Sequence, residues 1–260
     1  MRLALAQFDI IFEDKLKNKE TVLQFINHAV SEKVDMILFP EMSLTGFSMH
    51  TSIVGEFHNE TVEFFKEISS KFNITIGFGY VEGTSDSKNK YSVVSPPGTE
   101  LVNYAKIHPF SFGLESKYYK GGEEINTFKA FDFTICPFIC YDLRFPEIFQ
   151  IASKTATLIT VAANWPVQRR EHWITLLQAR AIENQCYIAG VNRCGKDKWL
   201  TYSGDSMIID PQGNIISSLY MEEGLVIADI FPEEVSELRQ NFKLKEDRKE
   251  ALYFAKYTNN

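Results

Sequence analysis

A carboxylate, an amine and a thiol stand in comparable places in this sequence, each at the end of an apolar run. Glu41 follows Met36-Ile-Leu-Phe-Pro40, Lys106 follows Leu101-Val-Asn-Tyr-Ala105, and Cys140 closes Phe133-Thr-Ile-Cys-Pro-Phe-Ile139. Together the three groups suffice for acyl transfer through a covalent thioester. A free thiol, with a pKa of about 8.5, is mostly protonated at neutral pH, so Cys140 needs a base or a positive field to become a nucleophile. Glu41 can supply the first and Lys106 the second. Attack on an amide carbonyl creates an oxyanion, which the Lys106 ammonium and the backbone N–H of Tyr141 can hold; such donors contribute about 3–4 kcal/mol each. Protonated Glu41 can then pass its proton to departing ammonia, because the amide anion is a far poorer leaving group.

Taken singly, each residue has a plainer reading: Cys140 as a core thiol, Glu41 as a solvated loop carboxylate, Lys106 as a surface charge at a strand end. The elements around them have to raise the chemistry above that. Residues 2–8 form a short β-like run. Val22, Leu23, Ile26 and Val30 recur at helical spacing before a second apolar run at 35–40, which suggests a parallel βαβ crossover. Val62, Phe65, Ile68 and Phe72 mark another helix, and residues 74–81 the next strand. Residues 82–90 read as polar and turn-rich, and 91–95 with 101–106 as a hairpin.

The pattern then repeats. Residues 131–140 are a strongly apolar strand, Pro146 suits the first position of a helix, and 156–163 form a further buried strand. Trp173, Leu176, Leu177 and Ala181 mark the inner face of a helix leading into a strand at 186–191. A second hairpin (206–210 with 215–219), a strand at 225–230 and a helix from Pro232 complete the reading. In strand–helix proteins, polar groups just past the carboxyl ends of strands face the ligand crevice, which is where the three candidates fall. No linker divides the chain, so we expect one α/β domain with two similar halves over residues 1–242, then a charged surface tail at 243–260.

Composition excludes several function classes. The 260 residues carry 27 Lys+Arg against 34 Asp+Glu, a formal charge of −7, with 45% hydrophobic and 23% charged residues. That is an ordinary globular balance, and without a basic block it argues against nucleic acid or an anionic membrane surface as partner. No apolar run reaches the roughly 20 residues needed to span a bilayer, and residues 1–7 make a poor secretory signal. Cys136, Cys140, Cys186 and Cys194 show no CxxC spacing, which fits reduced cytosolic thiols and a cytoplasmic location. The five histidines lack metal-ligand spacing, and Gly77-Phe-Gly79-Tyr-Val-Glu-Gly83 places its third glycine one residue too late for a dinucleotide loop, so no cofactor is expected.

The segments Phe39-Pro-Glu-Met-Ser-Leu-Thr-Gly-Phe47, Tyr104-Ala-Lys-Ile-His-Pro-Phe110 and Ile139-Cys-Tyr-Asp-Leu-Arg-Phe-Pro-Glu147 resemble, in order, the three catalytic signatures of the nitrilase superfamily of carbon-nitrogen hydrolases. Asn164-Trp-Pro166, His172-Trp, Gln178-Ala-Arg-Ala-Ile-Glu-Asn-Gln185, Asn192-Arg and Tyr202-Ser-Gly-Asp-Ser206 are similar to the bacterial ω-amidase branch, which includes 2-oxoglutaramate amidases. The resemblance covers roughly residues 2 to 240, and several long motifs agreeing together make chance a poor explanation.

The resemblance implies a four-layer αββα sandwich whose subunits commonly pair into a homodimer. It implies Glu41 as base, Lys106 as oxyanion stabiliser and Cys140 as nucleophile. A second glutamate shortly after the lysine, here Glu115, would orient the lysine or place water. Trp165 would wall the acyl pocket. The implied substrate is a small linear amide, first the ω-amide of an α-keto acid such as 2-oxoglutaramate. Alternatives are deaminated glutathione, a carbamoyl amine, or a scaffold that keeps the fold without catalysis. One departure bears on geometry: Pro109 stands where many ω-amidases have leucine, restricting His108 and altering the expected path toward Glu115. Asp142 and Arg144 are expected to pair with each other beside the thiol turn, and His108 to be structural. Arg170, Arg180 and Arg193 are candidates for a substrate carboxylate, since a fork of N–H donors suits one.

Overall fold

The computed structural model describes residues 1–258. The first half runs β1 (Arg2–Gln7), α1 (Lys15–Ser31), β2 (Met36–Leu38), α2 (Thr51–Val54), α3 (Glu60–Phe72), β3 (Thr75–Glu82), β4 (Lys88–Ser95) and β5 (Thr99–Ala105). The second runs β6 (Phe128–Ala130), β7 (Phe133–Ile139), α4 (Pro146–Ala152), β8 (Leu158–Ala163), α5 (Arg170–Asn184), β9 (Tyr187–Asn192), β10 (Cys194–Lys196), β11 (Thr201–Ile209) and β12 (Ile215–Tyr220). Then come β13 (Gly224–Asp229), α6 (Pro232–Asn241) and α7 (Glu250–Thr258).

One sheet has the order β13-β1-β2-β3-β4-β5; in the other, β10-β11-β9-β8-β7-β6 are joined by β12 pairing with β11. At the centre of each, three strands are parallel: β1, β2 and β3 in the first, β7, β8 and β9 in the second. The last strand, β13, returns to pair antiparallel with β1, so the first sheet needs both ends of the chain.

Side-chain alternation makes the layers. Along β1, Leu3 and Leu5 belong to the core shared with the second sheet, where Phe138, Ile159 and Val161 lie, whereas Ala4 and Ala6 pack with Val22 and Ile26 of α1 and Phe65 of α3. On the opposite outer face, Trp173, Leu177 and Ala181 of α5 are buried against the second sheet. The result is the αββα sandwich, which sequence resemblance implied.

Several boundaries differ from the sequence reading, each for a local reason. In α1 the buried stripe is Val22, Ile26 and Ala29, while Val30 is exposed; seven residues bring a helix to within about 20° of two full turns, and eight overshoot by about 80°. The apolar run at 131–140 is not one strand, because Phe131 and Asp132 take positive φ and form the turn between β6 and β7. Cys140 leaves the strand too and opens a 3-10 turn, Cys140–Arg144. Residues 88–90 belong to β4 rather than to a turn, held to β3 by the pairs Glu82–Lys88 through Tyr80–Lys90. Among the described residues, no helix is long and apolar enough to cross a membrane.

Candidate active site

The carboxyl ends of β2 and β5 in one sheet and of β7 and β8 in the other open toward the same place. From them come Glu41, Lys106, Cys140 and Asn164. The Lys106 ammonium, fully buried, lies 2.9 Å from Glu41 Oε1 and 2.8 Å from Glu115 Oε2. Two buried carboxylates on one ammonium would repel each other across it. Asn89, from β4, relieves this by donating from Nδ2 to Glu41 Oε1 (2.7 Å) and to Glu115 Oε1 (3.0 Å). Asn164 closes the other side of Glu41, its backbone N–H donating to Oε2 at 2.9 Å and its Nδ2 to the Glu41 carbonyl at 2.7 Å. Glu115 also accepts from the Phe110 N–H at 2.6 Å, so the loop through Pro109 delivers the carboxylate to Lys106 despite the altered motif.

The loop bearing Glu41 lies directly on β3. Ser43 N donates to the Gly79 carbonyl at 3.0 Å and Ser43 Oγ accepts from Gly79 N at 2.9 Å. A Cβ at Gly79 would fall 2.4 Å from Met42 N and 2.9 Å from Glu41 Cα, so glycine is needed here for close approach.

Cys140 has φ 47°, a left-handed conformation that a cysteine adopts only under local constraint. Burial pushes its thiol well above the ordinary range, and the negative charge of Glu41 adds to this against the opposing pull of Lys106. Burial and the neighbouring Glu41 charge therefore favour the protonated thiol. For Lys106, burial alone would favour the neutral amine, but the charges of Glu115 and Glu41 outweigh it and hold the ammonium well above the usual lysine range. Burial raises the Glu115 carboxyl, against the pull of Lys106.

Above Cys140 is a cleft lined by Phe47, Phe110, Tyr141, Arg144, Trp165 and Arg169 among others. Trp165 is almost wholly buried, anchored by Nε1 donating to the Arg169 carbonyl at 2.7 Å. Arg144 lies over the Trp165 ring, 4.8 Å from its centroid, and Arg169 over Phe110 at 5.3 Å. Among the described residues, neither guanidinium has a carboxylate within ion-pair distance.

The arginines expected at the substrate are elsewhere. Arg170 is bound to Asp205 (2.7 Å), Arg180 to the Leu143 carbonyl (2.8 Å) and Glu183 (2.9 Å), and Arg193 to Asp9 (2.5 Å) and the Ile10 carbonyl (2.9 Å). These are structural roles, and none of the three lines the cleft. Nor do Asp142 and Arg144 pair. Asp142 turns inward to His108, Tyr104 and the Ile139 N–H, while Arg144 reaches His172 Nδ1 at 3.1 Å. Arg169 and Asn89 escaped the sequence reading: the first abuts the equally plausible Arg170, and the second sits in a stretch read as a turn.

Fold and site together define a hydrolase of carbon–nitrogen bonds. The sequence profile described as Carbon-nitrogen hydrolase matches residues 2–240, and the chain belongs to that family. It is 32% identical over 256 residues to the 2-oxoglutaramate amidase of Bacillus subtilis (strain 168), covering 96% of this chain and 98% of that protein. To omega-amidase YafV of Escherichia coli (strain K12) it is 35% identical over 219 residues, 83% of this chain and 85% of that one. The solved structure of a CN-hydrolase superfamily protein from Xanthomonas campestris, with an arsenic adduct in its active site, matches with a TM-score of 0.90 at 29% identity, over 96% of this chain and 97% of that chain.

Proposed function

We propose that the protein hydrolyses the ω-amide of a small α-keto dicarboxylic acid, 2-oxoglutaramate first, through a thioester on Cys140. The observation that carries the mechanism is the convergence of one buried ammonium and two buried carboxylates beside the thiol. Glu41 accepts the thiol proton as sulfur bonds to the amide carbon. The oxyanion takes hydrogen bonds from Lys106 and the Tyr141 N–H. As the C–N bond breaks, Glu41 returns its proton to the leaving ammonia; it then deprotonates the water that cleaves the thioester, releasing the carboxylate and the thiol. Glu115 orients Lys106, and Trp165 walls the acyl pocket.

Two features support the substrate. The relatives above carry the names 2-oxoglutaramate amidase and omega-amidase. Arg144 and Arg169, without carboxylate partners among the described residues, give the cleft the charge that a substrate carboxylate matches.

We further infer a cytoplasmic homodimer, with residues 1–242 as the catalytic domain and 243–260 as a surface or dimer contact. Support comes from four unpaired thiols, which suit a reducing compartment, and from the exposed Leu252, Tyr253 and Tyr257 on α7.

The test is ammonia release from an amide panel headed by 2-oxoglutaramate, with wild type and Cys140→Ala, alongside intact-mass detection of an acyl-enzyme. Turnover and a mass adduct in the wild type alone are expected. Silence on 2-oxoglutaramate with turnover of another amide overturns the substrate; silence across the panel with no adduct overturns the reaction.

A further inference from the structure

A strained nucleophile turn persists only where its surroundings over-determine it. Around Cys140 that determination converges on one side chain. Asp142 is fully buried, and its carboxylate accepts four hydrogen bonds. Oδ2 takes the backbone N–H of Ile139, the residue before Cys140, at 3.1 Å, and the hydroxyl of Tyr104 at 2.8 Å. Oδ1 takes the backbone N–H of His108 at 3.0 Å and, on the tautomer that bears a proton there, its Nδ1 at 2.8 Å.

These donors come from two different parts of the site. Ile139 belongs to the thiol strand β7, whereas Tyr104 and His108 stand two residues before and two residues after Lys106. The Tyr104 hydroxyl also accepts from the Ile107 N–H at 3.3 Å, tying the segment after Lys106 back to β5. The His108 ring stacks on Phe145, with centroids 3.7 Å apart and planes at 11°, while the Phe145 N–H donates to the Asp142 carbonyl at 3.1 Å. One carboxylate thus fastens the chain on both sides of the lysine to the chain on both sides of the cysteine.

We propose that Asp142 is a positioning residue that sets the Lys106–Cys140 geometry: it holds the thiol turn in register with the ammonium that must meet the oxyanion. The roles of Lys106 and Cys140 in this statement rest on the function proposed above. The carboxylate is required because all four of its partners donate. An amide of the same shape presents an NH2 to two of them, and a backbone N–H such as that of Ile139 or His108 cannot turn round to accept.

The test compares wild type, Asp142→Asn, Lys106→Met and the double variant. Two readouts are used: ammonia release normalised to titrated active sites, and the rate of Cys140 alkylation by iodoacetamide on folded protein. For Asp142→Asn we expect kcat to fall about 100-fold with KM within about threefold, the cost of a misplacement of about 1 Å. Alkylation should slow about tenfold in the Lys106 background but change less than about threefold in Lys106→Met, where no lysine remains to be aligned. Wild-type kcat in Asp142→Asn overturns the proposal, as does an equal slowing in both backgrounds, which would mark Asp142 as support for the fold alone. If Asp142→Asn does not fold, Tyr104→Phe, which removes one of the four bonds, is measured in the same way. An about fivefold loss with the same dependence on Lys106 supports the proposal, and wild-type values overturn it. A wild type that releases no ammonia from any amide refutes the proposed function instead, while the alkylation cycle still decides the role of Asp142.

Discussion

Lys106 and Glu115 are joined twice: the ammonium nitrogen lies 2.8 Å from one oxygen of the carboxylate and 3.1 Å from the other. Only eight residues lie between them in the chain, and the loop through Phe110, whose N–H donates to the same carboxylate, brings it to the ammonium that Glu41 also contacts. The ammonium is thereby held by two anions.

Glu115→Gln keeps the shape and removes the charge. Burial of Lys106 is then offset by Glu41 alone, and the ammonium loses its second anchor. We expect kcat to fall about 100-fold with KM within about threefold, the pattern of an interaction that matters in the transition state. Steady-state ammonia release decides it, and an unchanged kcat would reduce Glu115 to a loop anchor for Phe110.

Arg144 and Arg169 lead to a prediction about specificity. Alanine at either position should raise KM for 2-oxoglutaramate about 10- to 100-fold, the loss of one charge-assisted hydrogen bond of about 1.5–3 kcal/mol. An uncharged amide of similar length should change by less than about threefold under the same comparison. Equal losses on both substrates would mean that the arginines shape the cleft rather than bind an anion.

Alkaline pH should act on the thiols. Burial raises those of Cys186 and Cys194 to about 12, and that of Cys140 well above its ordinary range. The folded chain therefore binds more protons than the unfolded chain above about pH 8.5. Stability from this source is complete below that pH and declines as pH rises toward the folded-state values. Urea midpoints measured from pH 7 to 10 should fall, and Cys186→Ala should flatten the slope. Alkylation of Cys140 in the resting enzyme should likewise keep accelerating above pH 9; a plateau near pH 7 would show a thiolate already formed.

Gly79→Ala tests the seat of Glu41 from a distance. A methyl 2.4 Å from Met42 N must push the loop off β3, carrying Glu41 away from Lys106 and Asn164. A misplacement of this kind predicts at least an about 100-fold loss of turnover, with the sheet still formed by circular dichroism. Retention of activity would show that the loop can shift without moving its carboxylate.

Glu41, Lys106 and Cys140 were legible because each ends an apolar strand, and because the words around them are long enough to resemble a family. The run at 2–8 was likewise legible as a strand, but that Leu3 and Leu5 face one core and Ala4 and Ala6 the other was settled by the packed layers. Asn89 was not legible. An asparagine in Ser85-Asp-Ser-Lys-Asn89 reads as turn chemistry until β3 is present to pair with it and two carboxylates to receive its NH2.

Charge partners divide along the same line. Sequence alone proposed that an arginine meets a substrate carboxylate, since a fork of donors suits one, and offered Arg170, Arg180 and Arg193. Only the tertiary structure decided which: Arg170, Arg180 and Arg193 find their partners within the fold, and Arg144 and Arg169 face the cleft. The physical reason is that strand periodicity and motif wording are local, set by neighbours two to four residues away. A side chain's hydrogen-bond partner is set by what the folded sheets bring within about 3 Å, as Asp142 shows by reaching Tyr104, 38 residues earlier in the chain.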